Sequence, residues 1–120
     1  MSPCQRSLKK LRAEGYFCAI VEKWNPYAKI RQDLFGFIDI LAIQGNETLG
    51  IQTTSGDHVA ERVAKIKAAP GAIIWLSSST RRVVVHGWSR RGPRGEVKKW
   101  TCREVEVTAD TDFRAMEVKP

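Results

Sequence analysis

An aspartate inside an otherwise apolar run is the feature that most constrains this chain. The run is FIDILAIQ, residues 37 to 44, and the aspartate is Asp39. An apolar run of this length predicts a strand in the centre of a sheet, covered on both faces. A buried carboxylate costs free energy unless it has a partner or a metal ion. Asp39 therefore predicts either a functional site or a carboxylate satisfied by Arg31 or by backbone amides.

The remaining patterns predict an α/β fold in which helices flank a central mixed β-sheet, in the order α-β-β-β-α-β-β-β. Residues 1–108 form a single domain in this interpretation, and 109–120 form a C-terminal tail. Residues 25–36 are a predicted loop. The predicted elements are a helix at 5–14, strands at 16–24, 37–44 and 49–55, a helix at 58–69, and strands at 72–78, 83–89 and 97–108.

Composition narrows the class of partner. The chain has 120 residues, a net charge of +7 and a pI near 9.7, which favour a polyanion, with nucleic acid ahead of an anionic membrane. Its three cysteines are widely spaced without a CxxC motif, which argues against a zinc site and favours a reduced, cytoplasmic setting. No apolar run is long enough to predict a membrane span.

Basic residues predict where DNA would lie. The expected contacts to its backbone are Lys29, Arg31, Arg62, Arg90, Arg91 and Arg94. Four aromatic residues are interleaved with the basic ones, namely Trp24, Tyr27, Trp88 and Trp100. Such rings can stack on bases, although they can equally fill the core. No helix-turn-helix or zinc-finger pattern is present, so binding directed at DNA structure or backbone is favoured over base readout.

Polar residues in the third strand complement Asp39. If the second and third strands pair as an antiparallel hairpin, Gln52 comes close to Asp39 at one end of the sheet. Alternation then places Gln52 and Thr54 on one face and Thr53 on the other. Carboxylate and amide oxygens on adjacent strands are a donor set for a hard divalent cation such as Mg²⁺. Such a cation can activate water and neutralise charge at a phosphate.

The run GFIDILAI…LGIQTTSG, after a short helix and a first strand, resembles the PD-(D/E)XK nuclease superfamily. The resemblance is nearest to the small Holliday-junction-resolvase-like members and to short phage-borne proteins of that type. It covers residues 5–78. It implies a restriction-endonuclease-like fold, hydrolysis of DNA with Mg²⁺ or Mn²⁺, a preference for branched DNA and a possible homodimer.

The resemblance assigns roles to particular residues. Asp39 matches the metal-binding aspartate, and Ile38 stands where proline often precedes it. Gln52 matches the second acidic ligand, and Thr54 stands in the position of the catalytic lysine. Gln5 lies roughly where resolvase-like members keep a glutamate. Two acidic positions are therefore amides, and an uncharged oxygen binds Mg²⁺ less tightly than a carboxylate does.

Nearby residues offer replacements for the missing groups. Glu22 and Asp33 are candidates for the missing carboxylate, because Asp33 is in the loop that leads into the strand of Asp39. The helix after the third strand carries Arg62 and Lys65, and Lys65 is a candidate for a relocated catalytic lysine. The predicted metal ligands are thus Asp39, Gln52, Glu22 and Asp33, and the predicted catalytic residues are Asp39, Gln52, Thr54 and Lys65.

Two other functions stay open at this point. One is a catalytically inactive nucleic-acid-binding protein with the same fold. The other is an interaction or inhibitor protein that uses its basic face on a protein partner. A mechanism with a protein nucleophile is not indicated, because no Ser, Cys or His arrangement supports one. His86, inside an apolar strand, predicts a satisfied core histidine.

Overall fold

The structure, a computed structural model, describes residues 1–108, and the predicted tail at 109–120 lies outside them. The fold is α/β, as predicted, with a five-stranded mixed sheet and helices on both faces. A 3-10 turn, Gly56–His58, precedes the second helix. The other elements are α1 (Pro3–Ala13), β1 (Phe17–Ile20), β2 (Lys23–Asn25), β3 (Ile30–Gln32), β4 (Ile40–Gln44), β5 (Glu47–Ser55), α2 (Val59–Ala68), α3 (Pro70–Trp75), β6 (Arg81–Arg91) and β7 (Lys99–Val107).

The main sheet has the strand order β1-β4-β5-β6-β7. Only β5 and β6 run parallel; the other neighbours are antiparallel. The predicted hairpin is confirmed, with Ile40 opposite Ile51 in the β4–β5 register. The Asp39 amide donates to the Ile51 carbonyl at 2.8 Å, which extends the pairing by one residue and brings Asp39 beside Gln52. Strands β2 and β3 form a separate two-stranded hairpin.

Helices α1 and α2 each bury one stripe of apolar side chains against the sheet. Ser2 caps α1 by accepting a hydrogen bond from the Gln5 amide, and Pro3 suits the first helical turn. Leu8 and Leu11 of α1 pack on one face of the sheet. Full burial of such a side chain contributes about 1.5–3 kcal/mol to the free energy of folding. The apolar residues of α2 pack on the other face, namely Val59, Val63 and Ile66.

The predicted strand at 72–78 is wrong, because this segment forms helix α3. A short apolar run is compatible with either a strand or a helix. Pro70 at the first helical position favours the helix. Tertiary contacts fix that choice, since Trp75 packs edge-on against Phe37 and its Nε1 donates to the Arg82 carbonyl at 3.0 Å. The strand that follows α2 is therefore β6.

The predicted strand at 16–24 and loop at 25–36 also need correction. Pairing with β4 ends after the Val21 amide donates to the Asp39 carbonyl, and the chain then leaves the main sheet. It continues into the β2–β3 hairpin, so the predicted loop contains β3. The Asn25 side chain closes this hairpin by accepting hydrogen bonds from the Tyr27 and Ala28 amides.

Two glycines allow the start of α2 to approach the sheet. A Cβ on Gly87 in β6 would lie 2.3 Å from a Val59 methyl group and 3.2 Å from the Gly56 Cα. A Cβ on Gly56 would lie 2.0 Å from the Ser89 hydroxyl. This close contact holds the 3-10 turn and the first turn of α2 against the end of β6.

Candidate active site

A cavity of about 710 Å³ lies where β1 ends, β4 begins and β5 ends. Its volume is within the range of small-molecule and nucleotide sites. Every predicted metal ligand and every predicted catalytic residue lines it. The lining residues that matter for the chemistry are Glu22, Asp33, Asp39, Gln52, Thr53 and Thr54, together with Arg31, Arg62 and Lys65.

Three carboxylates converge in the cavity from three different segments. Glu22 follows β1, Asp33 follows β3, and Asp39 precedes β4. One ligand atom from each lies within 4.8 Å of the others, so the trio forms a possible metal-binding group. The β2–β3 excursion is what brings Asp33 back to this end of the sheet.

One oxygen of Asp39 is well satisfied. Its Oδ2 accepts hydrogen bonds from Gln52 Nε2 at 2.5 Å, from the Thr53 amide at 2.8 Å and from Thr53 Oγ1 at 3.2 Å. The Thr53 amide is therefore the kind of backbone partner that one sequence interpretation offered for Asp39, and the side chains of Gln52 and Thr53 add to it. The other partner offered, Arg31, is wrong, because Arg31 pairs with Glu22 at 3.2 Å.

The other oxygen of Asp39 is not satisfied. Within residues 1–108, three buried side-chain atoms lack a hydrogen-bond partner, and they are Asp39 Oδ1, Gln52 Oε1 and Arg62 Nε. All three residues line this same cavity. Buried polar atoms are nearly always paired, and an unpaired one costs about 1–3 kcal/mol. The cavity thus holds two unused acceptors and one unused donor.

The two aspartates have opposite pKa shifts. Burial, together with the neighbouring Asp33 carboxylate, raises the pKa of Asp39 from 3.8 to about 7. Burial also acts on Asp33, but the neighbouring Asp39 and the salt bridge with Lys65 outweigh it and lower the pKa of Asp33. Asp33 is therefore the member of the pair that ionises more readily.

Three cations balance the three carboxylates of the cavity. Lys65 on α2 forms a salt bridge with Asp33, and Arg31 forms one with Glu22. Arg62 lies one turn before Lys65 on the same helix and lines the cavity. Arg62 and Lys65 thus line the same cavity as Gln52 and Thr54. A bound dication would leave the site attractive to an anion.

Four predicted DNA contacts lie away from the cavity. Lys29 is in the turn of the β2–β3 hairpin, with a positive φ of 55°. Arg90 and Arg91 are at the end of β6, and Arg94 follows in the turn toward β7. The predicted DNA contacts therefore fall into three places. Arg31 and Arg62 line the cavity, Lys29 lies in the β2–β3 turn, and the other three lie at the β6–β7 end.

The amino-terminal turn of α1 is the part of the site that the sequence did not reveal. Ser2, Pro3 and Cys4 line the cavity beside Gln5. Burial and the charge of Asp39 raise the pKa of the Cys4 thiol to about 11, so it stays protonated and is a poor nucleophile. The Ser2-Pro3 cap was a readable signal for the helix start, but its approach to the cavity depends on how α1 packs.

A second buried polar centre lies next to the cavity, between α1 and β6. Ser7 Oγ is 2.9 Å from His86 Nδ1 and accepts a hydrogen bond from Trp88 Nε1 at 2.8 Å. His86 Nε2 lies 3.4 Å from a Glu104 oxygen, which Lys10 also contacts at 3.0 Å. His86 is thus a satisfied core histidine, as predicted, and this group is called the Ser7–His86 centre below.

The Ser7–His86 centre also contains a second possible metal-binding group, formed by His86, Cys102 and Glu104. Burial raises the pKa of the Cys102 thiol to about 12, which disfavours the thiolate that a metal would need. Both ring nitrogens of His86 have protein partners. This group is better explained as packing and hydrogen bonding than as a site.

No family model, curated protein or solved structure matches this chain. Among the helices of residues 1–108, none is long and apolar enough to span a membrane.

Proposed function

We propose that this chain hydrolyses the phosphodiester backbone of DNA with the help of Mg²⁺ or Mn²⁺, on a restriction-endonuclease-like fold. The observation that carries the proposal is that the three unpaired buried atoms of residues 1–108, Asp39 Oδ1, Gln52 Oε1 and Arg62 Nε, belong to residues that line one cavity. Two acceptor oxygens fit a cation, and one guanidinium donor fits a phosphate oxygen.

The donor set of the cavity fits a hard divalent cation. Carboxylate and amide oxygens are the ligands that Mg²⁺ and Mn²⁺ prefer, and the possible metal-binding group at the cavity consists of three carboxylates, Glu22, Asp33 and Asp39. Asp39 and Gln52 would hold the ion, and the negative charges of Glu22 and Asp33 would help to balance its positive charge. When bound, such an ion polarises a phosphoryl oxygen and lowers the pKa of a coordinated water.

The residues of the chain itself supply binding and orientation. Arg62 Nε is a buried donor with no partner among the described residues. A phosphate oxygen could accept a hydrogen bond from it without breaking an existing one. Arg31 and Lys65 already face the acidic cluster and form salt bridges with Glu22 and Asp33. Thr54 lines the cavity beside them and can orient a water or a phosphate oxygen.

The element order supports the resemblance to the PD-(D/E)XK superfamily. The order α-β-β-β-α-β is met by α1, β1, β4, β5, α2 and β6, with β6 in place of the strand expected at 72–78. Asp39 stands at the start of the hairpin, and Gln52 stands on its second strand. The β2–β3 hairpin is then an insertion between the first two strands of that order.

The test is cleavage of linear and branched DNA with Mg²⁺ and with Mn²⁺ by the wild-type protein and by Asp39→Ala. We expect metal-dependent nicking that Asp39→Ala abolishes. Glu96→Ala is the matched control, because this acid is exposed in the turn between β6 and β7. Equal cleavage by wild type and Asp39→Ala, or none by wild type with either metal, would contradict the proposal.

One observation favours a second function, which is DNA binding without cleavage. Gln52 and Thr54 are uncharged in positions where the resemblance calls for an acid and a lysine, so the site has less charge to bind a metal. Salt-sensitive binding of DNA without metal-dependent cleavage would support this function. Undetectable DNA binding at low salt would instead support an interaction protein that uses its basic face.

A further inference from the structure

The β2–β3 hairpin exposes aromatic rings that the core does not use. Trp24 is 58% exposed and Tyr27 is 97% exposed, although both rings would bury a large apolar area in a core. Lys23, Lys29 and Arg31 are exposed on the same two strands and their turn. The hairpin is therefore a small aromatic and basic surface that stands apart from the main sheet.

The hairpin is held in a defined position. Its turn is closed by the Asn25 side chain, which accepts from two backbone amides at 3.0 and 3.1 Å. Trp24 is the cross-strand partner of Arg31, so the two side chains lie on the same face of the hairpin. Arg31 lines the cavity and pairs with Glu22. The Trp24 face therefore lies beside the acidic cluster.

We propose that the β2–β3 hairpin binds unpaired bases of single-stranded DNA, next to the cavity. Trp24 and Tyr27 provide the stacking surfaces, and Lys23, Lys29 and Arg31 contact the phosphates. The role of the bound strand as a substrate rests on the proposed function, whereas the binding itself does not.

Charge and ring type favour this occupant. Stacking on an aromatic ring is available only to bases that are free of a partner strand, and it tolerates every base. Three cations on a short hairpin attract a polyanion and oppose a purely apolar protein surface. An anionic membrane has the same charge as DNA, and it is the competing source that the experiment must separate.

The experiment measures fluorescence anisotropy of a labelled oligo(dT) of about 12 nucleotides and of a matched duplex, at low salt in EDTA. We expect the wild type to bind the single strand more tightly than the duplex. Trp24→Leu keeps apolar bulk but removes the ring, and it should weaken single-strand binding about tenfold. Trp24→Phe restores a stacking face and should recover most of that loss.

Phe17→Leu is the matched control. Phe17 is 79% exposed at the start of β1, opposite Ile43, at the end of that strand away from the hairpin. Its loss should leave binding of the oligo(dT) unchanged. The melting temperature of each variant shows whether it is folded. The Trp24 variants should stay folded, because the Trp24 side chain is exposed.

Three results would overturn the proposal. They are unchanged oligo(dT) affinity in Trp24→Leu, a preference of the wild type for duplex, and tighter binding to vesicles of phosphatidylserine and phosphatidylcholine that depends on Trp24. Binding of the oligo(dT) is measured without metal. If the protein binds the single strand but does not cleave DNA when metal is added, only the proposed nuclease function is contradicted. Metal-dependent cleavage of duplex with unchanged single-strand affinity in Trp24→Leu would contradict only the hairpin proposal.

Discussion

The cavity around Asp39 and the Ser7–His86 centre are two buried polar groups on neighbouring strands, and they differ in one respect. Thr53 and His86 are paired across β5 and β6, so the two regions adjoin. Asp39 is 3% exposed and His86 is 2% exposed. His86 has a partner for each ring nitrogen, whereas Asp39 and Gln52 each keep an unused oxygen.

Under the proposed function, this difference separates a polar group that stabilises the fold from one that binds a ligand. A fully paired network satisfies its own atoms and gains from low local dielectric. An incompletely paired one costs free energy in the absence of a ligand, and a cation or an anion can remove that cost. Burial alone does not distinguish the two regions, but hydrogen-bond pairing does.

The largest expected effect is loss of activity in Asp39→Asn. The amide keeps an oxygen that can accept from Gln52 and Thr53, but it removes the ligand charge. Charge stabilisation by a bound cation is worth several kcal/mol, so Mn²⁺-dependent cleavage should fall about a thousandfold. Thermal unfolding in EDTA should show no loss of stability. A parallel loss of stability and activity would make Asp39 a structural residue like His86.

Ser7→Ala tests the other region. Removal of the hydroxyl leaves His86 Nδ1 and Trp88 Nε1 without their partner, and the expected loss is about 3 kcal/mol in the free energy of unfolding. Urea unfolding measures this loss. Mn²⁺ affinity should stay unchanged, and the exposed Ser77→Ala serves as control. Weaker Mn²⁺ binding in Ser7→Ala would show that the two regions are coupled.

The pH dependence of stability should have opposite sign in the two regions. The pKa of Asp39 is raised to about 7 from 3.8, so its contribution is fully present below pH 3.8 and is lost as pH rises through 7. In EDTA, the stability of Asp39→Asn relative to wild type should therefore increase as the pH rises from 4 to 7.

Glu104 behaves in the opposite way. The hydrogen bond from His86, with a further one from Lys10, lowers the pKa of Glu104 from 4.5 to about 2 despite burial. Its contribution is present above pH 4.5 and is lost as pH falls through 2. Glu104→Gln should therefore flatten only the acidic arm of the stability profile. Identical profiles for the two variants would remove the distinction between the regions.

The smallest expected effect is a gain of metal affinity in Gln52→Glu. The change is nearly isosteric and restores a charge to the second ligand position, so Mn²⁺ affinity should rise about tenfold in calorimetric titration. Stability in EDTA should fall, because two carboxylates then share the site. Thr101→Glu, at an exposed position of β7, controls for a general gain of negative charge. Equal affinity gains in both variants would argue against a direct ligand role for Gln52.

Local patterns predicted much of the fold, because alternation and caps act over a few residues. They placed α1, the β4–β5 hairpin, α2 and the long final strands, and they marked Asp39 and Gln52 as neighbours. The segment at 72–78 was mistaken for a strand because so short an apolar run is compatible with either a strand or a helix. Pro70 favours the helix locally, and the packing of Trp75 on Phe37 stabilises it.

The site was predictable where neighbouring strands carry it and not where distant segments meet. Gln52 follows Asp39 across one hairpin, so their proximity is a matter of register. The grouping of Glu22 with Asp33 depends on the β2–β3 excursion, which the sequence presents as a loop. The approach of Cys4 depends on how α1 docks, and unpaired atoms such as Asp39 Oδ1 become visible only in three dimensions.

The most direct test of the metal-site claim is an anomalous difference map from a crystal soaked in Mn²⁺. We expect one strong peak in the cavity, about 2–2.5 Å from Asp39 Oδ1 and Gln52 Oε1. A dry, fully hydrogen-bonded Asp39 without a peak, or a peak at His86, Cys102 and Glu104 instead, would contradict the account.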